Sequence, residues 1–239
     1  GIPVAETSDT LDGATWFDRD QLIEVSVVPS DGTDVGDAMK DSITVLNSKP
    51  VASAVEISPI ELFTDDEAQA VVTGGDDDDD GVSYTYAWYV DGALVAETTS
   101  SLSGADYFDR DQTIYVVATP DDGTDSGTSV TSSSVTISNS PPELSAIELA
   151  PDPLTTDDLL EASPTATDAD GDSISYQFHW LQDGVEWDGV PLTTHHEGDG
   201  IDYLLANPGE TWSCTATATD GITSSETSTL SEALITACP

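Results

Sequence analysis

The stretch Tyr84-Thr85-Tyr86-Ala87-Trp88-Tyr89-Val90-Asp91-Gly92 carries a strand and the turn that ends it. Tyr84, Tyr86, Trp88 and Val90 recur at every second residue, the period at which strand side chains share a face, so one face buries an aromatic ladder. Asp91-Gly92 follows at once, a dipeptide suited to a tight hairpin turn. The same arrangement returns at Tyr176, Phe178, Trp180 and Asp183-Gly184. Short strand candidates surround the first ladder at 55–58, 69–73, 94–97, 113–119 and 135–138, separated by Gly, Pro, Asp and Ser. No segment has the spacing of an amphipathic helix. Ile114, Val116 and Ala118 are expected to face the ladder from the opposing sheet, and Trp212, Cys214 and Ala216 to do so in the later copy.

Internal repetition organises the chain. Residues 1–36 align without gaps on 92–127, with 21 of 36 positions identical. Phe17-Asp18-Arg19-Asp20-Gln21 recurs as Phe108-Asp109-Arg110-Asp111-Gln112, and Asn47-Ser48-Lys49-Pro50 answers to Asn139-Ser140-Pro141-Pro142. A more divergent copy matches Trp88, Asp91 and Gly92 with Trp180, Asp183 and Gly184. The expected modules are therefore 49–140 and 141–239, preceded at 1–48 by the second half of another module. That half lacks the counterpart of residues 64–88 and cannot cover a core alone. It is either cut from a longer array or completed by strands of another polypeptide. The expected fold is all-β: tandem immunoglobulin-like β-sandwiches with an incomplete N-terminal module.

Composition narrows the function. The 47 acidic residues face four basic ones, for a formal net charge of -43. Such a field excludes nucleic-acid partners and anionic membrane surfaces, and it calls for salt or divalent cations to relieve self-repulsion. No apolar run is long enough to cross a bilayer, so direct membrane insertion is not expected. Residues 1 onward are not a signal peptide, so export would need a signal outside these 239 residues. Cys214 and Cys238 permit one bridge tying down the final strand, worth roughly 3–4 kcal/mol in the loop-entropy picture, and point to an oxidising compartment.

Taken together, Thr64-Asp65-Asp66, the 86–92 strand and turn, Thr119-Pro120-Asp121-Asp122-Gly123, and their counterparts Thr156-Asp157-Asp158 and Asp168-Ala169-Asp170-Gly171-Asp172 resemble PKD-like and cadherin-like immunoglobulin-fold repeats of bacterial and archaeal surfaces. The resemblance covers nearly the whole chain. It implies extracellular, surface-attached or fibre-associated architecture, such as spacers, stalks, adhesins or filaments, sometimes stiffened by calcium.

The residues themselves offer two cation loops. Asp168, Asp170 and Asp172 alternate on a Gly-containing turn, a pattern that aims several oxygens at one hard cation, with Asp157 or Asp158 approaching from the preceding strand. Asp76, Asp78 and Asp80 occupy the matching loop, with Asp65 and Asp66 as helpers. The competing reading of both loops is a solvated acidic turn. Arg19 and Arg110, each between two aspartates, are expected to pair locally across a turn, contact with the next module being the alternative.

His195 and His196, with Glu197 and Asp199 nearby, do not make a zinc cluster by spacing. There is no nucleophile elbow, phosphate-cradling glycine loop or Cys-x-x-Cys, and no enzymatic activity is expected. The leading function is a modular stalk or fibre contacting neighbouring modules or homo-oligomeric subunits, with intersubunit strand completion as its stronger form. The alternative is an adhesin binding glycan or a surface protein through the excursion carrying Trp187, Leu192, His195 and His196, which reads equally as a packing insertion.

Overall fold

A computed structural model describes residues 2–4, 6, 8–152, 154–225 and 231–236. It divides into two compact units. One comprises Gly1–Ile60, Ala68–Leu102 and Ile114–Val135; the other comprises Glu61–Glu67, Ser103–Thr113 and Thr136–Pro239. Each is described in its own terms below, and the division runs through the second repeat.

In the N-terminal segment a single helical turn, α1 (Gly13–Trp16), is capped by the Asp12 carboxylate, which accepts from Ala14 N at 3.3 Å. Strands β1 (Leu22–Val27) and β2 (Met39–Thr44) then pair antiparallel, setting Ile23 opposite Ile43 and Val27 opposite Met39. These two strands are a sheet by themselves.

The second repeat supplies β3 (Val51–Ser58), β4 (Glu67–Gly75), β5 (Ser83–Val90), β6 (Ala93–Leu94), β7 (Ser101–Ser103), the helical turn α2 (Gly104–Tyr107), β8 (Thr113–Asp121), β9 (Val130–Thr131) and β10 (Val135–Thr136). They form two sheets, ordered β3-β4-β7 and β10-β8-β5-β6, with β9 also on β8. The period-two ladder is buried as its spacing dictates, but Ile114, Val116 and Ala118 lie beside it on β8 of the same sheet and not on an opposing one. Trp88 is fully buried opposite Val116, Val90 lies opposite Ile114, and Tyr86 opposite Ala118. The Trp88 indole N–H donates to Thr99 O at 3.0 Å, so burial leaves its one polar atom satisfied. On the other face, Tyr89 stacks on its cross-strand partner Tyr115 at 4.6 Å between ring centroids. Asp91 and Gly92 both take positive φ, 48° and 78°, as the two-residue turn between β5 and β6 requires.

The third repeat repeats the plan with β11 (Glu143–Ala150), β12 (Leu154–Thr155), β13 (Leu160–Thr167), β14 (Ser175–Gln182), β15 (Val185–Glu186), β16 (Gly200–Ile201), β17 (Thr211–Thr219) and β18 (Ser231–Thr236). The sheets are β11-β13-β16 and β12-β18-β17-β14-β15, antiparallel apart from the short parallel pair β12–β18. Between them lies one core of Leu154, Leu160, Ala162, Trp180, Ile201, Trp212, Cys214 and Ile235. The architecture is all-β and built of immunoglobulin-like sandwiches, with the isolated β1–β2 sheet as the incomplete module. Cys214 points into the core opposite Trp180, where burial pushes its thiol pKa up to about 12. Cys238, its expected partner, lies outside the described residues.

Candidate cation site and junction network

Asp168 directly follows β13 and folds the loop around its own carboxylate. Its Oδ1 accepts from Asp170 N at 2.9 Å and Asp172 N at 3.2 Å, while Gly171 takes positive φ. The turn brings one oxygen each of Asp168, Asp170 and Asp172 within 4.8 Å of one another. Asp168 Oδ2 is buried and has no hydrogen-bond partner. A buried carboxylate oxygen without a donor is costly, and the three converging side chains are a group able to share a divalent cation.

Asp170, with its side chain only 2% exposed, accepts from Ser140 N at 2.7 Å, from Ser140 Oγ at 3.3 Å and from Thr64 Oγ1. Arg110 supplies the countercharge. Its Nη1 lies 3.5 Å from Asp170 and closer still to Asp172, and its Nη2 donates to Asp172 at 3.3 Å. The hydrogen bond it donates to Asp172 raises the arginine pKa above its ordinary value. Of the three carboxylates, Asp170 and Asp172 thus meet the guanidinium. Arg110 Nη1 also donates to Asn139 Oδ1 at 2.6 Å, and Asn139 Nδ2 donates to Asp220 and to Thr223 Oγ1, both at 2.8 Å.

The same network is built earlier in the chain. Arg19 Nη1 donates to Asp80 and, at 2.5 Å, to Asn47 Oδ1. Asn47 Nδ2 donates to Asp122 at 2.9 Å and Asp125 at 3.2 Å, and Asp78 accepts from Ser48 N at 2.6 Å. Asp76 Oδ1 accepts from Asp78 N at 2.8 Å, and its Oδ2 is again buried without a partner. Asp76, Asp78 and Asp80 correspond one for one in sequence to Asp168, Asp170 and Asp172, but their oxygens are not brought together as a group able to share a cation.

Local pairing of the arginines is therefore not the main interaction. Arg19 and Arg110 approach the following Asp20 and Asp111 only at 3.8 Å, and those carboxylates are almost wholly in solvent. The expected helpers also go elsewhere. Asp66 accepts from Phe63 N at 2.9 Å, Asp158 from Thr155 N at 2.8 Å and Thr155 Oγ1 at 2.6 Å, and Asp65 and Asp157 are exposed. Among the described residues, the other group able to share an ion is Glu161, His195 and Asp199.

Asp199 anchors the histidine excursion. It is fully buried and accepts from the backbone N–H of Thr194, His195 and His196 at 2.7, 2.9 and 2.7 Å. Burial alone would raise its pKa; the backbone donors from His196, Thr194 and His195 outweigh that and lower it. His195 Nδ1 lies 2.5 Å from Glu161, His196 packs edge-on against Tyr176, and Trp187 packs edge-on against Trp212. Leu192 is exposed, as is the His195 ring.

The Asn139 amide, with Thr223 and the backbone of Ile222, holds the Asp220 carboxyl well below the usual carboxylate range. Its folded pKa lies below the unfolded value of about 3.9, so its stabilisation is complete above that pH and disappears as pH falls through the folded value. Asp220→Asn is expected to lower the urea midpoint near neutrality, and the gap from the parent to narrow as pH falls below about 4. A gap that stays constant with pH would contradict this role.

No protein-family model matches the chain, and no curated protein matches it. Among solved structures it is similar to the FN1–FN3 domains of chicken CNTN1, with TM-score 0.36 and 11% identity, covering 90% of this chain and 75% of that one. It is also similar to the selenomethionine-substituted chicken interferon gamma receptor alpha chain, with TM-score 0.45 and 10% identity, covering 77% of this chain and 98% of that one.

Proposed function

We propose that the chain is a structural segment of an extracellular array of PKD-like, immunoglobulin-fold modules, a stalk or fibre whose 168–172 loop holds calcium. The observation that carries this reading is the double construction of one network: Arg, Asn and three alternating Asp recur with the same hydrogen bonds around Arg19 and Arg110. A substrate site has no need to be copied at each period, whereas a load-bearing junction does. In the 168–172 loop the three carboxylates converge, Asp170 and Asp172 meeting Arg110 and Asp168 keeping a buried oxygen that lacks a donor. A divalent cation with a preference for several oxygen ligands answers that arrangement. A bridge between Cys214 and Cys238 belongs to the same extracellular reading.

Calorimetry tests the cation. At moderate ionic strength calcium is expected to bind with a Kd of about 0.1–1 mM, the range of extracellular modules. Asp168→Asn, which removes one charge and the partnerless oxygen, is expected to weaken that binding at least about tenfold. Absence of calcium heat in the parent protein would remove calcium from the proposal. Small-angle scattering separately tests the stalk, for which an extended particle is expected and a compact globule is the contrary result.

A second reading, an adhesin for carbohydrate or protein, draws on the excursion bearing Leu192 and His195. Three backbone donors to Asp199 fix its shape while both side chains remain accessible. Replacing residues 190–197 should abolish any glycan or protein binding found by array if this reading holds, and leave it unchanged otherwise.

A further inference from the structure

The histidine excursion between β15 and β16 closes on itself. Leu192 N donates to Gly200 O at 2.7 Å, and Gly200 N donates to Leu192 O at 3.1 Å. Inside that closure the backbone N–H groups of Thr194, His195 and His196 converge on the buried Asp199 carboxylate. Gly200 lies opposite Glu161 of β13, and Ala162 N donates to Asp199 O at 2.8 Å. The loop is therefore fastened over one point of β13, and Glu161 stands at that point.

Four polar atoms meet there. Thr194 Oγ1 lies 2.9 Å from Glu161 Oε1 and 2.9 Å from Asp199 Oδ2. His195 Nδ1 lies 2.5 Å from the same Glu161 oxygen and 3.3 Å from Thr194 Oγ1. A hydroxyl carries one proton, so a single hydrogen has to serve two carboxylate oxygens. A proton on His195 Nδ1 can go to Glu161 and leaves that shortage as it is. Countercharge is short as well. Arg110 is the one Lys or Arg in the sequence of the compact unit that holds the loop, and it is engaged by Asp170 and Asp172.

We infer that Glu161, His195 and Asp199 form a zinc(II) site that ties the excursion to β13. Each offers one ligand atom, and the three atoms lie within 4.8 Å of one another. An imidazole among carboxylates suits zinc, whereas calcium takes oxygen ligands, so this site and the 168–172 loop select different ions. With zinc on Glu161 and Asp199, the Thr194 hydroxyl no longer has to serve both. Tetrahedral ligands stand about 3.3 Å apart, so the ion spreads the His195–Glu161 contact. The imidazole can follow, its side chain being 77% exposed. A groove of about 260 Å³, lined by residues 161–164 with His195 and His196, leaves room for water as the fourth ligand. No local pattern marks the site, because Glu161 precedes His195 by 34 residues. The adjacent histidine does not join it; His196 turns to Tyr176, with ring centroids 4.8 Å apart.

The test titrates zinc into the 239-residue chain by calorimetry at moderate ionic strength, with calcium in excess to occupy all-carboxylate sites. One zinc per chain is expected. Glu161→Gln and His195→Ala should each weaken binding at least about tenfold, since loss of a group merely behind a ligand already costs that much. His196→Ala and Asp168→Asn should leave it unchanged. Zinc is also expected to raise the urea midpoint of the parent and of His196→Ala but not of Glu161→Gln, a readout that only folded protein gives. Absence of zinc binding in the parent overturns the inference, as does binding that survives Glu161→Gln. An equal loss in His196→Ala would place the ion on the adjacent histidine pair and overturn it too. Loss in Asp168→Asn would do the same by moving zinc to the 168–172 loop. The calcium reading stands or falls separately, since Asp168→Asn is expected to weaken calcium and spare zinc.

Discussion

Replacing Trp180 by alanine is expected to lower the unfolding free energy of the compact unit that contains it by about 3–5 kcal/mol, the usual cost of deleting a large buried aromatic. The ring is almost completely buried among Leu154, Leu160, Ala162, Ile201, Trp212, Cys214 and Ile235, and its indole N–H donates to Gly198 O at 2.9 Å. Truncation therefore empties the centre of the core and also unties the base of the histidine excursion. Urea denaturation followed by far-ultraviolet circular dichroism measures the change. Trp187→Ala removes a partly buried ring at the edge of the same cluster and should cost less. Equal losses would show that the period-two ladder does not mark the centre of the sandwich.

Gly104→Val is the second large effect. The new Cβ would run into the carbonyl oxygens of Thr64 and Asp66, and neither can swing away as a flexible side chain would. Overpacking of this kind costs about 1–3 kcal/mol, and because the obstacle is backbone on two sides the upper end is expected. The displacement also moves Thr64, whose hydroxyl donates to Asp170 and accepts from Arg110 N at 3.1 Å. The loss of stability should therefore be accompanied by weaker calcium binding. Gly13→Val is the internal control. It meets only the Phe17 ring, which can turn, and is expected to be nearly neutral in this chain. An equal penalty at both glycines would mean that the passing backbone is not the cause.

Much of the fold was legible because its signals are local. The ladder from Tyr84 to Val90 is found within one strand, Ser83–Val90, and Asp91-Gly92 forms the expected turn. Strands with weaker alternation shifted: 55–58 is the end of a longer strand, Val51–Ser58, and 94–97 shrinks to Ala93–Leu94. The parallel β12–β18 pair left no periodic trace, since two residues are too few to show one. In the candidate site, the alternation of Asp168, Asp170 and Asp172 was readable, because a turn of that composition converges its own side chains. Their partners were not. Arg110 and Thr64 reach Asp170 and Asp172 across gaps of at least 60 residues, and no local pattern encodes such a contact. What did signal it was repetition: Asn47-Ser48 and Asp18-Arg19-Asp20 return together, which a purely local ion pair does not require.

The repeated arginine turn also bears on how such an array lengthens. Residues 17–21 and 108–112 are identical in all five positions, whereas paired strand positions have drifted, Glu24 to Tyr115, Ser26 to Val117 and Val27 to Ala118. A strand residue answers to neighbours that are copied along with it and can change when they change. Each arginine must instead find an acidic loop delivered by the next period, 61 residues ahead for Arg19 and Asp80 and 62 for Arg110 and Asp172. On the array reading proposed above, duplication by whole periods of 91 or 92 residues keeps that appointment, whereas an unequal crossover of any other length would strand the guanidinium, so growth would be quantised by the junctions.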